Sequence, residues 1–243
     1  MIFVSFYRFA SKYLCYMVNC KKIKNKQLKD FESLTSKARE RLLSTSESIK
    51  LPKGSLIFEE SQPLNKLFCI KKGACKFSKI DHSGQEHILR FLGEGEVMGK
   101  RSVATNLGAR VSAIALTDTE LCCLDKTEIQ KNLEENPKFC QDYLDSVIED
   151  ADINETTRMM FFSHKGIKSR LAKLLLYLWN KFGVNEKGKL NVKIKREDMA
   201  VVLGTSPEYI INLLKNFKSL KLIDIKKREL YILSKSGLEI IAA

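Results

Sequence analysis

The sequence predicts an α+β chain in three successive parts: a barrel of short antiparallel strands, one long helix, and a helical unit closed by a β-hairpin. Three observations lead there. Short apolar segments separated by turn residues run from Ser48 to Leu124, the spacing of a sandwich or jelly-roll barrel. From Asn136-Pro137 to about Phe162, apolar residues recur at steps of four and three, which marks a helical seam. Between residues 196 and 233 a glycine bend, a hydroxyl cap and a basic hairpin follow in order. The 243 residues leave room for two domains of about 100–150 residues each.

The elements follow along the chain. Met1–Cys20 is apolar and aromatic but interrupted by Arg8 and Lys12, so neither a signal peptide nor a membrane helix is expected; Met17 is an alternative start. From Asn25 to Leu43 the pattern is helical, with Leu28, Phe31, Leu34, Ala38, Leu42 and Leu43 on one side. Strands are predicted at 48–51, 55–58, 67–71, 74–80, 87–92, 111–116 and 120–124. They are punctuated by turn sequences such as Pro52-Lys53-Gly54 and Asp81-His82-Ser83-Gly84. The loop Gly99–Gly108 is expected to hold one helical turn.

Asn136-Pro137 marks a helix start. Beyond it, Cys140, Leu144, Val147, Ala151, Asn154, Arg158 and Phe161 form a stripe about three heptads long, flanked by Asp142, Asp145, Glu149, Asp150, Asp152 and Glu155. The pattern points to pairing of two copies through Leu144, Val147, Ala151, Asn154 and Arg158, with Asn154 as a register residue. A lone amphipathic helix packing on its own domain is the competing reading. A further helix, 167–182, carries Leu171, Leu174, Leu175, Leu178 and Trp179 and stops at Gly183.

Charge divides the chain in the same places. Residues 1–46 carry ten basic against three acidic residues, net +7; residues 47–137 carry thirteen of each. Residues 138–158 carry two against six, net −4, and residues 159–243 carry seventeen against seven, net +10. A neutral barrel beside a strongly basic carboxyl-terminal third is what neutralisation of phosphates by one domain requires. The seven Cys (15, 20, 69, 75, 122, 123 and 140) form no C-x-x-C pair, and only His82, His87 and His164 are present. That set favours a reducing, cytoplasmic setting and supplies neither a metal site nor the convergent ligands of a metal-dependent barrel enzyme. No catalytic residues are expected.

Residues 196–222 carry the functional motif. The first helix, Arg196–Leu203, buries Met199, Val202 and Leu203; Ala200 is small where a second helix must cross, and Gly204 allows the bend. Ser206, Pro207 and Glu208 supply a cap, a proline at the first helical position and an acid in the first turn. In the second helix Ile210, Leu213, Leu214 and Phe217 form the buried stripe. Thr205, Ser206, Pro207, Glu208, Tyr209, Asn212, Lys215 and Asn216 are left near the start or the outer face. This is a helix-turn-helix, whose second helix enters the major groove by its N-terminal end. There Glu208 would accept from cytosine, Asn212 would pair with adenine, and Lys215 would meet a phosphate. Strands at 222–225 and 230–233 around Lys226-Lys227-Arg228-Glu229 complete a winged helix-turn-helix whose tip contacts the DNA backbone.

Over roughly residues 25–240 the chain resembles the cyclic-AMP receptor protein / fumarate–nitrate regulator (Crp/Fnr) superfamily. The resemblance lies in L-F-C-I-K-K-G-A-C-K-F (67–77), in G-Q-E-H-I-L-R-F-L-G-E-G-E-V-M-G (84–99) and in the order of barrel, long helix and winged helix-turn-helix. It implies the following plan: an N-terminal extension (1–24), a β-roll (jelly-roll, cyclic-nucleotide-binding-like) sensor domain (25–136), a dimerisation helix (137–162) and a DNA-binding domain (163–243). It further implies double-stranded DNA, a second copy of the chain and RNA polymerase as partners, no membrane, no cofactor, and an allosteric effector in the β-roll. Such proteins read bases from the positions of Pro207, Glu208 and Asn212. The arginines often found at the first and third are absent, so the usual half-site is not implied.

The effector site departs from the family pattern. Cyclic-AMP binders have a Gly-Glu pair and an Arg-Ser/Thr-Ala run. Here Lys100 follows Gly99, and Arg110-Val111-Ser112-Ala113 has one residue too many between Arg and Ser. A one-residue shift turns a strand side chain to the other face. Gly99, Lys100, Arg101, Ser102, Arg110 and Ser112 are the candidate effector residues, and the resemblance does not identify the effector. Cys15 and Cys20 do not supply the iron–sulfur ligands of the fumarate–nitrate branch. The alternative function is a cyclic-nucleotide sensor module acting on a protein partner.

Overall fold

The computed structural model describes residues 31–161 and 166–243, apart from the side chain of Arg158; the expectations for residues 1–30 lie outside this range. The barrel comprises α1 (Ser36–Ser44), β1 (Glu47–Leu51), β2 (Leu56–Phe58), β3 (Lys66–Lys72), β4 (Cys75–Ile80), β5 (Glu86–Leu92), β6 (Val97–Met98), α2 (Lys100–Thr105), β7 (Ser112–Ala115) and β8 (Thr119–Asp125). Two four-stranded antiparallel sheets, β1-β8-β3-β6 and β2-β7-β4-β5, share a core of Phe58, Ile70, Cys75, Leu92, Met98 and Leu121.

The two-residue period of a strand explains why β8 reads as an unbroken apolar run. Leu121 and Cys123 point between the sheets, while Cys122 and Leu124 point the other way, against Phe31, Leu42, Ile129 and Phe139. Four of the cysteines, Cys69, Cys75, Cys122 and Cys123, are buried for this reason.

The expected helix over 25–43 is corrected within its described part. Phe31 and Leu34 are buried but precede α1, because the Thr35 hydroxyl accepts from the Ala38 amide at 3.2 Å and starts the helix there. Apolar periodicity alone does not register such a cap. Two strand residues, β6, appear where no element was expected.

Asp125 caps α3 (Lys126–Glu135), its Oδ1 accepting from the amides of Thr127 and Glu128. The long helix α4 (Pro137–Phe161) follows. It is not free along its length. Phe139 stacks on Phe31 at 6.0 Å between ring centres, and the buried Tyr143 hydroxyl donates to the Lys100 carbonyl at 2.9 Å. At the other end Phe161, expected in the seam, is buried in the core of the C-terminal unit.

That unit contains α5 (Ile167–Phe182), α6 (Arg196–Leu203), α7 (Pro207–Ser219), the hairpin β9 (Ile223–Lys226) and β10 (Glu229–Ile232), and α8 (Lys235–Ala242). Helix α8 was not expected. The Ser234 hydroxyl caps it at the Gly237 amide, and Leu238 packs into the core. The barrel joins this core through Ala74, Ile88, Phe91 and Leu116. The Phe91 and Tyr177 rings lie 6.4 Å apart, and the Tyr177 hydroxyl donates to the Phe91 carbonyl. Among the described residues no helix is long and apolar enough to cross a membrane.

Candidate functional site

Two places combine polar groups with access: the outer face of α7 with the adjoining hairpin, and a cavity between the barrel and α4.

Gly204, at φ 59°, makes the bend after α6 in the left-handed region that glycine adopts at little cost. Ala200 at the crossing is 2% exposed. The Ser206 hydroxyl accepts from the Tyr209 amide at 3.2 Å, with Pro207 next in the helix. Ile210, Leu214 and Phe217 are buried and Leu213 half-buried. The expected side chains Ser206, Glu208, Tyr209, Asn212 and Lys215 are exposed, as is Asn216, while Thr205 and Pro207 are half-buried. A helix presents one stripe to its core and frees the opposite one. All of these exposed groups can hydrogen-bond, and Glu208 and Lys215 also carry charge.

The hairpin pairs Glu229 with Lys226, so its tip is only Lys227-Arg228. This corrects the sequence expectation, which placed all four residues in the tip. Both tip residues have left-handed backbones, φ 50° and 65°, a conformation that costs roughly 1–2 kcal/mol per non-glycine residue. Lys226 is engaged: it pairs with Asp224 at 3.2 Å and lies 5.4 Å from the Tyr231 ring centre. Lys227 is exposed. Arg228 turns towards a cleft between hairpin and barrel that it shares with Lys53, Lys193, Lys195, Arg196 and Lys215.

The cavity has a volume of about 350 Å³. Gly99, Lys100, Arg101, Ser102 and Arg110 line it, as do Phe58, Leu64, Phe77 and Leu89. Ser112 does not line it; its hydroxyl accepts from the Glu60 amide at 3.0 Å. Arg110 precedes β7, so the extra residue is taken up in the loop, and its side chain is exposed. Lys100 is buried and pairs with Asp150 of α4 at 2.9 Å.

Sequence reasoning missed Arg90 and Asp150, both in the cavity wall. Arg90 donates through Nη1 to Asp150 at 3.0 Å and through Nη2 to Glu96. Glu96 also holds Lys181 of α5 at 2.7 Å. Burial opposes charge on Arg90, but Glu96 and Asp150 outweigh it and raise its pKa. The available signal was Arg90 inside the apolar run 88–92, since a buried arginine requires partners.

The residues expected at the dimer interface are spread around α4, and the side chain of Arg158 lies outside the described part. Leu144 and Ala151 are exposed. Val147 packs against the barrel core and lines the cavity. Asn154, expected as a register residue, accepts from Arg90 of its own chain at 3.4 Å; it lies a quarter-turn from Leu144 and faces the barrel. Asp150, expected on a solvated face, is likewise drawn to Arg90 and Lys100. The exposed apolar stripe runs through Leu144, Ile148 and Met159, which are 51%, 59% and 63% exposed, with Ala151 between them. The heptad count missed Ile148 and Met159. Among the described residues no group of three or more His, Cys, Asp or Glu is placed to hold a metal ion.

Comparison with known proteins places both regions. The family described as the cyclic nucleotide-binding domain matches residues 48–136, and the Crp-like helix-turn-helix domain matches residues 169–241. The global nitrogen regulator of Synechococcus elongatus is 28% identical over 187 residues, covering 74% of this chain and 82% of its own. The CRP-like cAMP-activated global transcriptional regulator of Mycobacterium tuberculosis is 23% identical over 189 residues, 77% and 84% of the respective chains. The fold is shared with FixK2 from Bradyrhizobium japonicum, at a TM-score of 0.73 and 18% identity over 82% of this chain and 98% of that one. Barrel, helix-turn-helix and relatives matching 74% and 77% of the chain agree: the chain belongs to the Crp/Fnr superfamily of transcription regulators, which bind DNA and are not enzymes.

Proposed function

We propose that the chain acts in the cytoplasm as a homodimeric, sequence-specific regulator, controlled by a small molecule bound in the barrel cavity. The observation that carries the DNA-reading part is the free N-terminal face of the capped helix α7, with Glu208 and Asn212 exposed, beside a hairpin tip of Lys227 and Arg228. Glu208 and Asn212 read base edges, while Lys215, Lys227 and Arg228 hold phosphates. Two copies meet through the Leu144, Ile148, Ala151 and Met159 stripe of α4, and the two α7 helices then address half-sites about one helical turn apart. The domain plan is that of the sequence: barrel to residue 136, connecting helix to about 162, winged helix-turn-helix beyond.

The cavity supports the sensing part because its walls come from both barrel and α4. A ligand there touches the element that positions the DNA-binding unit. The departure of Lys100 and Arg110 from the cyclic-AMP pattern argues for a different effector, and RNA polymerase is the partner that regulation implies. A sensor module acting only on a protein leaves the exposed α7 face and the basic excess of residues 159–243 without a role.

The test is footprinting on genomic DNA with the full chain, followed by affinity measurements across salt. A protected two-fold site and a steep fall of log affinity with log salt are expected. Equal binding to all sequences would overturn the reading.

A further inference from the structure

The cavity already contains an anion, and the chain supplies it. Asp150 places one carboxylate oxygen 3.0 Å from Arg90 Nη1 and the other 2.9 Å from Lys100 Nζ. Arg90 and Lys100 come from the barrel, whereas Asp150 comes from α4, so this one carboxylate ties the helix to the cavity wall. Two further cations, Arg101 and Arg110, line the same space, and no carboxylate of the described residues pairs with either. Arg90 Nε is buried without a hydrogen-bond partner. The lining therefore holds four cations and one carboxylate, with Glu96 pairing Arg90 from behind the wall, and the low-dielectric surroundings strengthen the pull on any anion that enters.

Arg90 also connects the cavity to the DNA-binding unit. Its Nη2 holds one oxygen of Glu96, and the other oxygen of Glu96 lies 2.7 Å from Lys181 of α5. The chain of contacts runs Lys100–Asp150–Arg90–Glu96–Lys181. A change at its first member thus reaches α5 through side chains already in contact.

Resting on the reading of the cavity as the effector site, we propose that Asp150 is an internal counter-ion which a compact anionic effector displaces from Arg90 and Lys100. The ligand is a small organic anion, with a carboxylate or phosphate head among the four cations and a flat or apolar body against Phe58, Leu64, Phe77 and Leu89. Its arrival frees the middle of α4 from the barrel and turns Arg90 from Glu96 towards the ligand. The hold of the barrel on α5 loosens, and the C-terminal unit can take a second orientation. No new contact is needed far from the cavity, since the ligand replaces a partner that is already there.

The experiment is calorimetric titration of the full-length protein with cyclic AMP, with citrate and with neutral adenosine, alongside DNA affinity with and without each. The phosphate and carboxylate arms distinguish the two head groups. At least one anion is expected to bind and adenosine to fail. Asp150→Asn, nearly isosteric, should bind that anion about tenfold tighter, within the usual range of coupling between sites. Without ligand it should show the DNA affinity of the liganded wild type. Lys181→Met, outside the cavity, should bind the anion as wild type does while its DNA affinity stops responding. If Asp150→Asn binds the anion no more tightly and ligand still shifts DNA affinity, the effector cavity stands and counter-ion exchange is wrong. If neither anion binds wild type or Asp150→Asn, both readings fall.

Discussion

Lys76 Nζ, on β4 of the barrel, lies 2.7 Å from Asp198 Oδ1 on α6, an ion pair buried between the two units and 122 positions apart in sequence. Glu86 shares the ammonium at 2.9 Å. Burial works against the charge on Lys76, but the two carboxylates outweigh it and raise its pKa. Removing one partner of a buried pair costs about 3–5 kcal/mol when the other is stranded. Here Glu86 remains, so Asp198→Ala should cost less, about 1–3 kcal/mol, read as a lower urea midpoint. Lys76→Met combined with Asp198→Leu should recover much of it. A double variant as unstable as the sum of the single ones would show that the pair contributes no coupling.

The same interface should weaken in acid through Glu96. Burial alone would raise its carboxyl, but Lys181 and Arg90 outweigh burial and hold it below the usual 4.5. A depressed carboxylate contributes stability that is full above its unfolded pKa and is lost as pH falls through the folded value. Wild type should therefore lose more stability than Glu96→Gln as the pH falls from about 5 to about 3. Parallel curves of unfolding free energy against pH for the two proteins would contradict this.

On the proposed reading, self-association depends on the exposed stripe of α4. Ile148→Glu puts a charge among Leu144, Ala151 and Met159 without disturbing Phe139 or Tyr143, which face the barrel. Sedimentation should show a monomer with an unchanged fold. Affinity for a two-fold site should fall by about 100-fold or more, because the second α7 no longer arrives tethered to the first. A dimer that survives the charge would place the interface elsewhere.

How much of this was legible before the structure differs from element to element. The strands other than the two-residue β6, and the α6–α7 turn, were readable because their signals are local: alternation, a bend glycine, a serine cap. Helix α4 was readable as a helix but not in its rotation. Its pattern mixes three demands, with Phe139 and Tyr143 against the barrel, Phe161 in the C-terminal core and Leu144 and Ile148 outward. A single heptad count cannot separate these. The cavity was half-readable. Residues 99–102 and Arg110 stood out by resemblance to a loop motif, whereas Arg90 and Asp150 lie 60 positions apart and become partners only when α4 crosses the barrel. Helix α8 escaped because eight residues that follow a hairpin carry too short a period to read.

The division of labour proposed for α7 and the hairpin gives the most direct test of base reading. Glu208 and Asn212 are exposed on the first two turns of α7, while Lys227 sits at a tip whose backbone turn holds it away from the sheet. A base contact acts on one sequence, and losing it removes discrimination at one position; a phosphate contact acts on all sequences and releases counter-ions. Glu208→Ala and Asn212→Ala should each cut preference for the native site by about 1–3 kcal/mol, with little change in non-specific binding. Lys227→Ala should weaken every site alike and lower the slope of log affinity against log salt by about one. These effects are measured by competition binding on a library of single-base variants at two or more salt concentrations. Were Lys227→Ala to change the preferred base while Asn212→Ala left it alone, the hairpin rather than α7 would be the reader, and α7 would serve only to hold the backbone.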